Sequence, residues 1–199
     1  MRTMITASLL AIALAACTNA GPADDTAAAT PPPLDQPAED VPPATAPPPA
    51  AVPGLARFDG YGDMRFGMAE ADARAAWGGD LNGDAVDGCH YLNPVWEHPP
   101  AHFAFMFDGG KFVRYDVGND TEVAPGGGKR GMDAEAIRSL YAGRVEESPH
   151  KYVEGGKYLK VTADDGGNGK LVFETDAAGK VSAWRAGVEP QVDYVEGCS

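Results

Sequence analysis

Two stretches of the chain show a period of two, in which successive side chains belong to opposite sides of a β-strand. In the first, three phenylalanines share one side of the strand: Phe103, Phe105 and Phe107. Residues 171–174 alternate in the same way. Glycine-containing turns at residues 108–110 and 176–179 then lead into Lys111–Val117 and Lys180–Ala186. The pattern predicts two antiparallel hairpins.

A different spacing precedes the second hairpin. Met132, Ile137, Leu140 and Tyr141 recur at roughly helical intervals. Asp133 fits the position of an N-cap, and a glycine at 143 is a stop signal. A short helix is therefore predicted ahead of this hairpin.

The chain also repeats itself. One block of residues recurs 64 positions later, and a second block recurs 69 positions later. The first block comprises Gly67, Met68, Arg74, Trp77, Gly79 and Leu81, matched by Gly131, Met132, Arg138, Tyr141, Gly143 and Val145. The second comprises Gly110, Lys111, Phe112, Tyr115, Val117 and Gly118, matched by Gly179, Lys180, Val181, Trp184, Ala186 and Gly187. Two blocks in the same order indicate a duplication.

These elements predict an α+β fold of two tandem repeats, each a short helix packed on an antiparallel β-meander. Repeat one covers about 58–118, repeat two about 123–187, and a tail follows at 188–199. Helices on one face of an antiparallel sheet leave the other face to meet solvent or a partner.

The N-terminus has the pattern of an export signal. Arg2 precedes an apolar run, Ile5–Leu14, which is too short to span a bilayer. Leu14-Ala15-Ala16-Cys17 resembles the bacterial lipobox. That resemblance implies cleavage after residue 16, a lipid anchor on Cys17 and, with Thr18 next, sorting to the outer membrane, facing the periplasm or the cell surface. An ordinary secretory signal that happens to contain a cysteine is the alternative.

Residues 18–53 contain 11 of the 17 prolines, five acidic residues and neither lysine nor arginine. Such a stretch has little apolar surface to bury, so it is predicted to be a disordered tether. A proline-rich ligand for a recognition domain is the alternative. The predicted organisation is a signal peptide at 1–16, a lipidated cysteine with its linker at 17–53, and a globular domain at 54–199.

Charge and motifs remove several functions. A formal net charge of −13 disfavours nucleic acid as a partner. The loop at 126–129 and the acidic turn at 164–169 lack the spacing of phosphate and calcium loops. No Gly-x-Ser-x-Gly elbow occurs, and the histidines lack metal-ligand spacing. We expect no enzymatic activity, no cofactor and no metal.

The cysteine count is odd. If Cys17 carries lipid, Cys89 and Cys198 remain as one pair in an oxidising compartment, and a disulfide is predicted. A redox pair or metal ligands are the alternatives, and neither has Cys-x-x-Cys spacing.

Two resemblances bear on function. The glycine-methionine helix start and the following meander resemble the repeat of β-lactamase inhibitor protein and the fold of small outer-membrane assembly lipoproteins, which implies a sheet that binds a protein. The whole chain resembles bacterial lipoproteins commonly labelled lectin. That similarity lies in residues 58–62, Pro149-His150-Lys151-Tyr152 and Glu196-Gly197-Cys198-Ser199.

Aromatic and histidine residues are the candidates for binding. Tyr115 and Trp184 are aromatic at matched positions of the two copies of the second block. An aromatic residue in both copies favours a role in the core. If Trp184 were exposed, its ring could instead bind a ligand. The candidate binding residues are Tyr91, Trp96, His98, His150, Tyr152, Tyr158 and Trp184. The predicted function is an envelope-tethered, lectin-like protein that binds a cell-envelope glycan. The alternative is an inhibitor or assembly factor that binds an envelope protein through the exposed sheet face.

Overall fold

The computed structural model describes residues 54–84, 86–98 and 102–198, and this part of the chain is mostly β. The predicted signal peptide, Cys17 and the predicted linker up to residue 53 lie outside the described residues. Three short strands form a small antiparallel sheet: β1 (Ala56–Arg57), β2 (Gly60–Tyr61) and β3 (Met64–Arg65). Eight strands form the main sheet: β4 (Leu81–Asn82), β5 (His90–Pro94), β6 (Phe103–Asp108), β7 (Lys111–Val117), β8 (Val145–Pro149), β9 (Lys157–Thr162), β10 (Lys170–Thr175) and β11 (Val181–Gly187). The helices are α1 (Glu70–Trp77) and α2 (Ala134–Leu140).

The main sheet is continuous across its centre. Its strand order is β4-β5-β6-β7-β11-β10-β9-β8, with antiparallel pairing throughout. Strands β7 and β11 pair directly, from Trp184 opposite Val117 to Gly187 opposite Arg114. Both predicted hairpins are present, but their second strands are hydrogen-bonded neighbours in one sheet.

The predicted fold class, α+β with two tandem helix-plus-meander repeats, is therefore wrong. The described chain is mostly β, with a three-stranded and an eight-stranded antiparallel sheet. Its two helices have only eight and seven residues. The reason is that β7 pairs with β11, so strands from both halves of the chain form one sheet. The period of two in a sequence indicates which side of a strand is buried. It does not indicate which strands are neighbours.

The hydrophobic core lies between the main sheet and the two helices. It contains the three alternating phenylalanines of β6, together with Tyr115 and Trp184 from the two central strands. The rings of Tyr115 and Trp184 meet edge to face with their centroids 5.8 Å apart. Each fully buried side chain of this kind contributes roughly 1.5–3 kcal/mol from burial. This face of the sheet is thus a dry, aromatic layer.

Both helices start against a hairpin turn. The N–H of Glu70 donates to the carbonyl of Gly110 at 3.0 Å, and the N–H of Ala134 donates to that of Gly179 at 2.9 Å. Asp133 is the N-cap residue of α2, as predicted, but its carboxylate pairs with Lys180 at 2.7 Å and caps no N–H. These contacts orient short helices that local propensity alone would leave marginal.

No helix within the described residues is long and apolar enough to cross a membrane.

Candidate functional site

Residues 188–198, which we call the strap, cross the face of the main sheet that the helices leave open. The strap begins where the N–H of Val188 donates to the carbonyl of Val113 at 2.9 Å, and it includes a 3₁₀ turn at Gln191–Asp193. Val192 is fully buried and packs against Tyr158 and Val172 on that face. The face that the sequence left to a partner is therefore covered in part by the chain's own C-terminal segment.

A disulfide holds the end of the strap. Cys89 and Cys198 are bonded, with their Cα atoms 5.3 Å apart, which confirms the predicted pair. Beside this bond, a side chain at Gly197 would approach the Tyr91 hydroxyl to 2.8 Å, and the φ of Gly197 is +66°. The strap can lie this close to β5 because residue 197 is glycine.

Two buried arginines bind the main chain of the strap. Arg114 donates from Nη1 to the carbonyls of Gln191 and Tyr194, at 2.9 and 2.6 Å. Arg185 donates from Nε to the carbonyl of Val192 at 2.6 Å. The carbonyls of Gln191 and Tyr194 also accept the backbone N–H groups of Tyr194 and Gly197, at 3.2 and 3.3 Å. The arginine bonds add a charged donor that ties the strap to the sheet.

Each of these arginines also pairs with a carboxylate. Asp116 accepts from Arg114 Nε at 3.0 Å, and Glu174 accepts from Arg185 Nη1. Burial works against the charge of Arg114, but the neighbouring Asp116 outweighs it, so the net effect is a raised pKa. The Arg114 guanidinium therefore stays charged beneath the strap.

The loop between β8 and β9 meets the strap from the other side. Lys151 Nζ lies 2.6 Å from Glu196 Oε1. The hydroxyl of Tyr152 donates to the same carboxylate oxygen. Lys151 Nζ also lies 5.0 Å from the centre of the Tyr152 ring. One ammonium, one carboxylate and one aromatic face are thereby brought together.

His150 organises this loop from beneath. Its Nδ1 accepts hydrogen bonds from the N–H groups of Tyr152 and Val153, at 3.1 and 3.2 Å. Its ring stacks on Tyr158 with centroids 4.5 Å apart, and Nε2 lies 3.4 Å from Glu174 Oε2. The side chains of His150 and Tyr158 are both largely buried, and they support the loop.

A groove of about 420 Å³, the strap groove, lies where the loop, the strap and the disulfide meet. It is lined by Cys89, Lys151, Asp193, Tyr194, Val195, Glu196, Gly197 and Cys198. Tyr194 is 39 % exposed, and Tyr152, which adjoins the groove through Glu196, is 61 % exposed. This volume is in the range of small-ligand sites.

The predicted binding residues fall into four places. His150, Tyr152 and Tyr158 come together at the loop, and Tyr91 lies under the strap. Trp96 and His98 lie elsewhere, after β5. Trp184 is only 1 % exposed and belongs to the core, so it has no surface to offer a ligand.

Trp96 forms a second exposed aromatic position. It is 59 % exposed and stacks on the buried Phe103, with centroids 6.2 Å apart. The adjacent Glu97 is buried, with His102 Nδ1 at 3.9 Å. Burial raises the pKa of the nearby Glu122, against the opposing effect of Tyr61.

A second cavity, of about 370 Å³, lies beside α2. Its charged residues are engaged with one another or with neighbours: Lys157 with Glu147 at 2.8 Å, and Arg138 with Glu135 at 2.9 Å. Its lining contains no aromatic ring. It is less suited to a stacking ligand than the strap groove.

Sequence reasoning did not single out Lys151, Tyr194 or Glu196 as site residues. The stretches that resemble the lectin-labelled lipoproteins contain two of them, Lys151 and Glu196. Among the described residues, no three histidine, cysteine, aspartate or glutamate side chains are placed to hold a metal ion.

Comparisons with known proteins give no identification. No protein-family model and no curated protein matches the chain. An extracellular protein containing an SCP domain from Bacillus anthracis is similar in structure over 62 % of this chain and 44 % of that one, at 14 % identity and a TM-score of 0.37. The chain thus spans less than half the length of that protein. A similarity this low supports no conclusion about fold or function.

Proposed function

We propose that this protein is a non-enzymatic binding protein of the bacterial envelope that takes a glycan in the strap groove. The observation that carries the proposal is the combination of two exposed tyrosines, Tyr152 and Tyr194, with charged and polar groups around one shallow groove. Aromatic rings offer flat apolar area at low entropic cost, and sugar faces stack on them, while the hydroxyls need charged or polar partners nearby.

Preorganisation supports a binding role for this groove. Its walls are fixed by the disulfide, by the arginine contacts to the strap and by His150 beneath the loop. A site whose backbone is already ordered loses little conformational entropy when a ligand binds. A flexible ligand such as an oligosaccharide needs that advantage.

The location of the protein is part of the same proposal. It rests on the sequence, through the lipobox-like Leu14-Ala15-Ala16-Cys17 and the proline-rich linker. A lipid anchor on Cys17 in the outer membrane and a long tether would let the domain sample glycans around its attachment point.

The alternative function was a protein-binding inhibitor or assembly factor acting through an exposed sheet face. The strap occupies the centre of that face, over Arg114 and Arg185. A protein partner would have to bind the strap itself or another surface, so we favour the glycan.

A glycan array and a pull-down of envelope proteins, both with the full chain, test the proposal. We expect binding to envelope-type glycans on the array, lost on Tyr152→Ala and kept on Tyr152→Phe, because the ring face supplies the stacking surface. Capture of one envelope protein, without binding to any glycan on the array, would support the alternative. Hydrolysis of an envelope glycan would contradict a non-enzymatic role.

The anchor is tested separately. Cys17→Ala should move the protein from the membrane to the soluble fraction, with Cys17→Ser as a second variant that also cannot carry the lipid. Persistent membrane attachment of both variants would contradict the lipoprotein assignment.

A further inference from the structure

The strap groove already holds an ammonium group, which belongs to the protein itself. Lys151 Nζ is 2.6 Å from Glu196 Oε1 and 5.0 Å from the centre of the Tyr152 ring. A carboxylate and the face of a phenol ring together are the usual surroundings of a bound organic cation. The Glu196 carboxylate and the Tyr152 ring can therefore bind an ammonium group from the protein or from a ligand.

Lys151 is loosely held in this position. Its side chain is 55 % exposed and that of Glu196 is 49 % exposed. Exposed ion pairs contribute little to stability, and a lysine loses rotamer entropy when it is fixed in one position. A ligand that brings its own ammonium on a rigid ring can therefore displace Lys151 at little cost.

The surrounding charge favours a cationic ligand over an anionic one. Asp193 and Glu196 line the groove with Lys151, and Asp193 pairs outside it with Lys160, at 2.8 Å. The chain as a whole has a formal net charge of −13. A ligand with carboxylates, such as a uronic acid oligomer, would meet repulsion both at a distance and in the groove.

We propose that the strap groove selects glycans that contain a free-amine hexosamine, whose ammonium replaces that of Lys151 between Glu196 and Tyr152. This rests on the proposed glycan-binding function and names the class of sugar. Lys151 then acts as an internal competitor that occupies the site when no ligand is bound. Its removal should strengthen binding, the opposite of what a ligand-contacting lysine would show.

Calorimetric titration of the full chain with three oligosaccharides of equal length tests this. The probes are oligomers of glucosamine, of N-acetylglucosamine and of galacturonic acid. We expect the glucosamine oligomer to bind most tightly and the galacturonate oligomer most weakly. Lys151→Gln should raise affinity for the glucosamine oligomer by roughly three- to tenfold and leave the N-acetyl oligomer unchanged, since only the former competes for the site.

Matched variants separate competition from a general change in charge. Lys180→Gln removes a similarly exposed lysine, paired with Asp133 and outside the groove, and should change neither affinity. Glu196→Gln should weaken binding of the glucosamine oligomer more than that of the N-acetyl oligomer. Unchanged thermal midpoints would show that these variants are folded.

Two results would overturn the inference in distinguishable ways. If the N-acetyl oligomer binds as tightly and Lys151→Gln weakens both, the groove is a glycan site in which Lys151 is itself a ligand contact. If no oligomer binds and no glycan on the array binds either, the results contradict both the proposed glycan-binding function and this inference.

Discussion

The two faces of the main sheet are built on different principles. The face under the helices is packed with aromatic rings, among them Phe103, Phe105 and Trp184, all buried. The face under the strap contains two buried arginines, Arg114 and Arg185, hydrogen-bonded to main-chain carbonyls. The first face is held by packing, and the second by polar contacts and one covalent bond.

This difference separates stability from function. A packed aromatic layer has no room for a ligand and tolerates little change. The strap face ends at a surface where loop, strap and disulfide enclose an open groove, and the polar groups there can exchange partners. Substitutions on the two faces should therefore have different signatures, and four of them test the contrast.

The largest effect is expected in the core. Trp184→Ala should lower the free energy of unfolding by about 3–5 kcal/mol, because it deletes a fully buried ring between Tyr115 and Phe173. Urea unfolding measures this, with Tyr152→Ala as an exposed aromatic control that changes stability by less than about 0.5 kcal/mol. A stable Trp184→Ala protein that has lost glycan binding would place this ring in the site instead.

The next effect concerns the covalent bond of the strap. Replacing both Cys89 and Cys198 by alanine should cost about 2–4 kcal/mol, since the bond closes a loop with a sequence separation of 109. Amide hydrogen exchange should accelerate in residues 190–198 far more than in the strands of the core face. Equal acceleration on both faces would contradict independent attachment of the strap.

The buried arginines give a smaller effect. Arg185→Met should cost roughly 1–3 kcal/mol, because Glu174 and the carbonyl of Val192 lose their donor. The same replacement at Arg138, which makes exposed ion pairs with Glu135 and Glu147, should cost less than about 1 kcal/mol. Chemical denaturation of both variants measures the two losses in the free energy of unfolding. Equal losses would show that the buried Arg185 stabilises the fold no more than an exposed arginine does.

The smallest effect is a pH dependence at the edge of the sheet. Arg138 first, and then Lys157, lower the pKa of Glu147 to about 2. Because the folded pKa lies below the unfolded value of about 4.3, this carboxylate stabilises the fold above that pH and loses its effect as the pH falls toward 2. Glu147→Gln should thus be less stable than the wild type by under about 1 kcal/mol at neutral pH.

That stability difference should vanish between about pH 4 and pH 2. Thermal unfolding over this range measures it. The control is Glu146→Gln, at the preceding residue, whose side chain lies on the opposite side of β8. A difference that persists at pH 2 would mean that the Glu147 carboxylate is not held by these cations.

Individual strands were predictable from the sequence because burial on one side imposes a period of two. Lys111–Val117 was predicted with its observed bounds, and the predicted Lys180–Ala186 is observed one residue later, at Val181–Gly187. The assembly of these strands was not predictable from that signal. The pairing of β7 with β11 joins residues about 70 positions apart, and no local pattern encodes it.

The strap face escaped prediction for a related reason. Arginine in an alternating strand indicates a solvent-facing side, yet Arg114 and Arg185 are buried by a segment that follows the last strand. The disulfide was predictable from the cysteine count, and it alone placed Cys198 near β5. The approach of Lys151 and Tyr152 to Glu196 depends on the three-dimensional path of the strap, which spacing does not reveal.

A hydrogen-exchange footprint of the full chain with and without a bound envelope glycan tests the central claim most directly. The account predicts slower exchange in residues 151–153 and 193–197, with no change in residues 95–97 around Trp96. Protection around Trp96, with the strap groove unaffected, would contradict it.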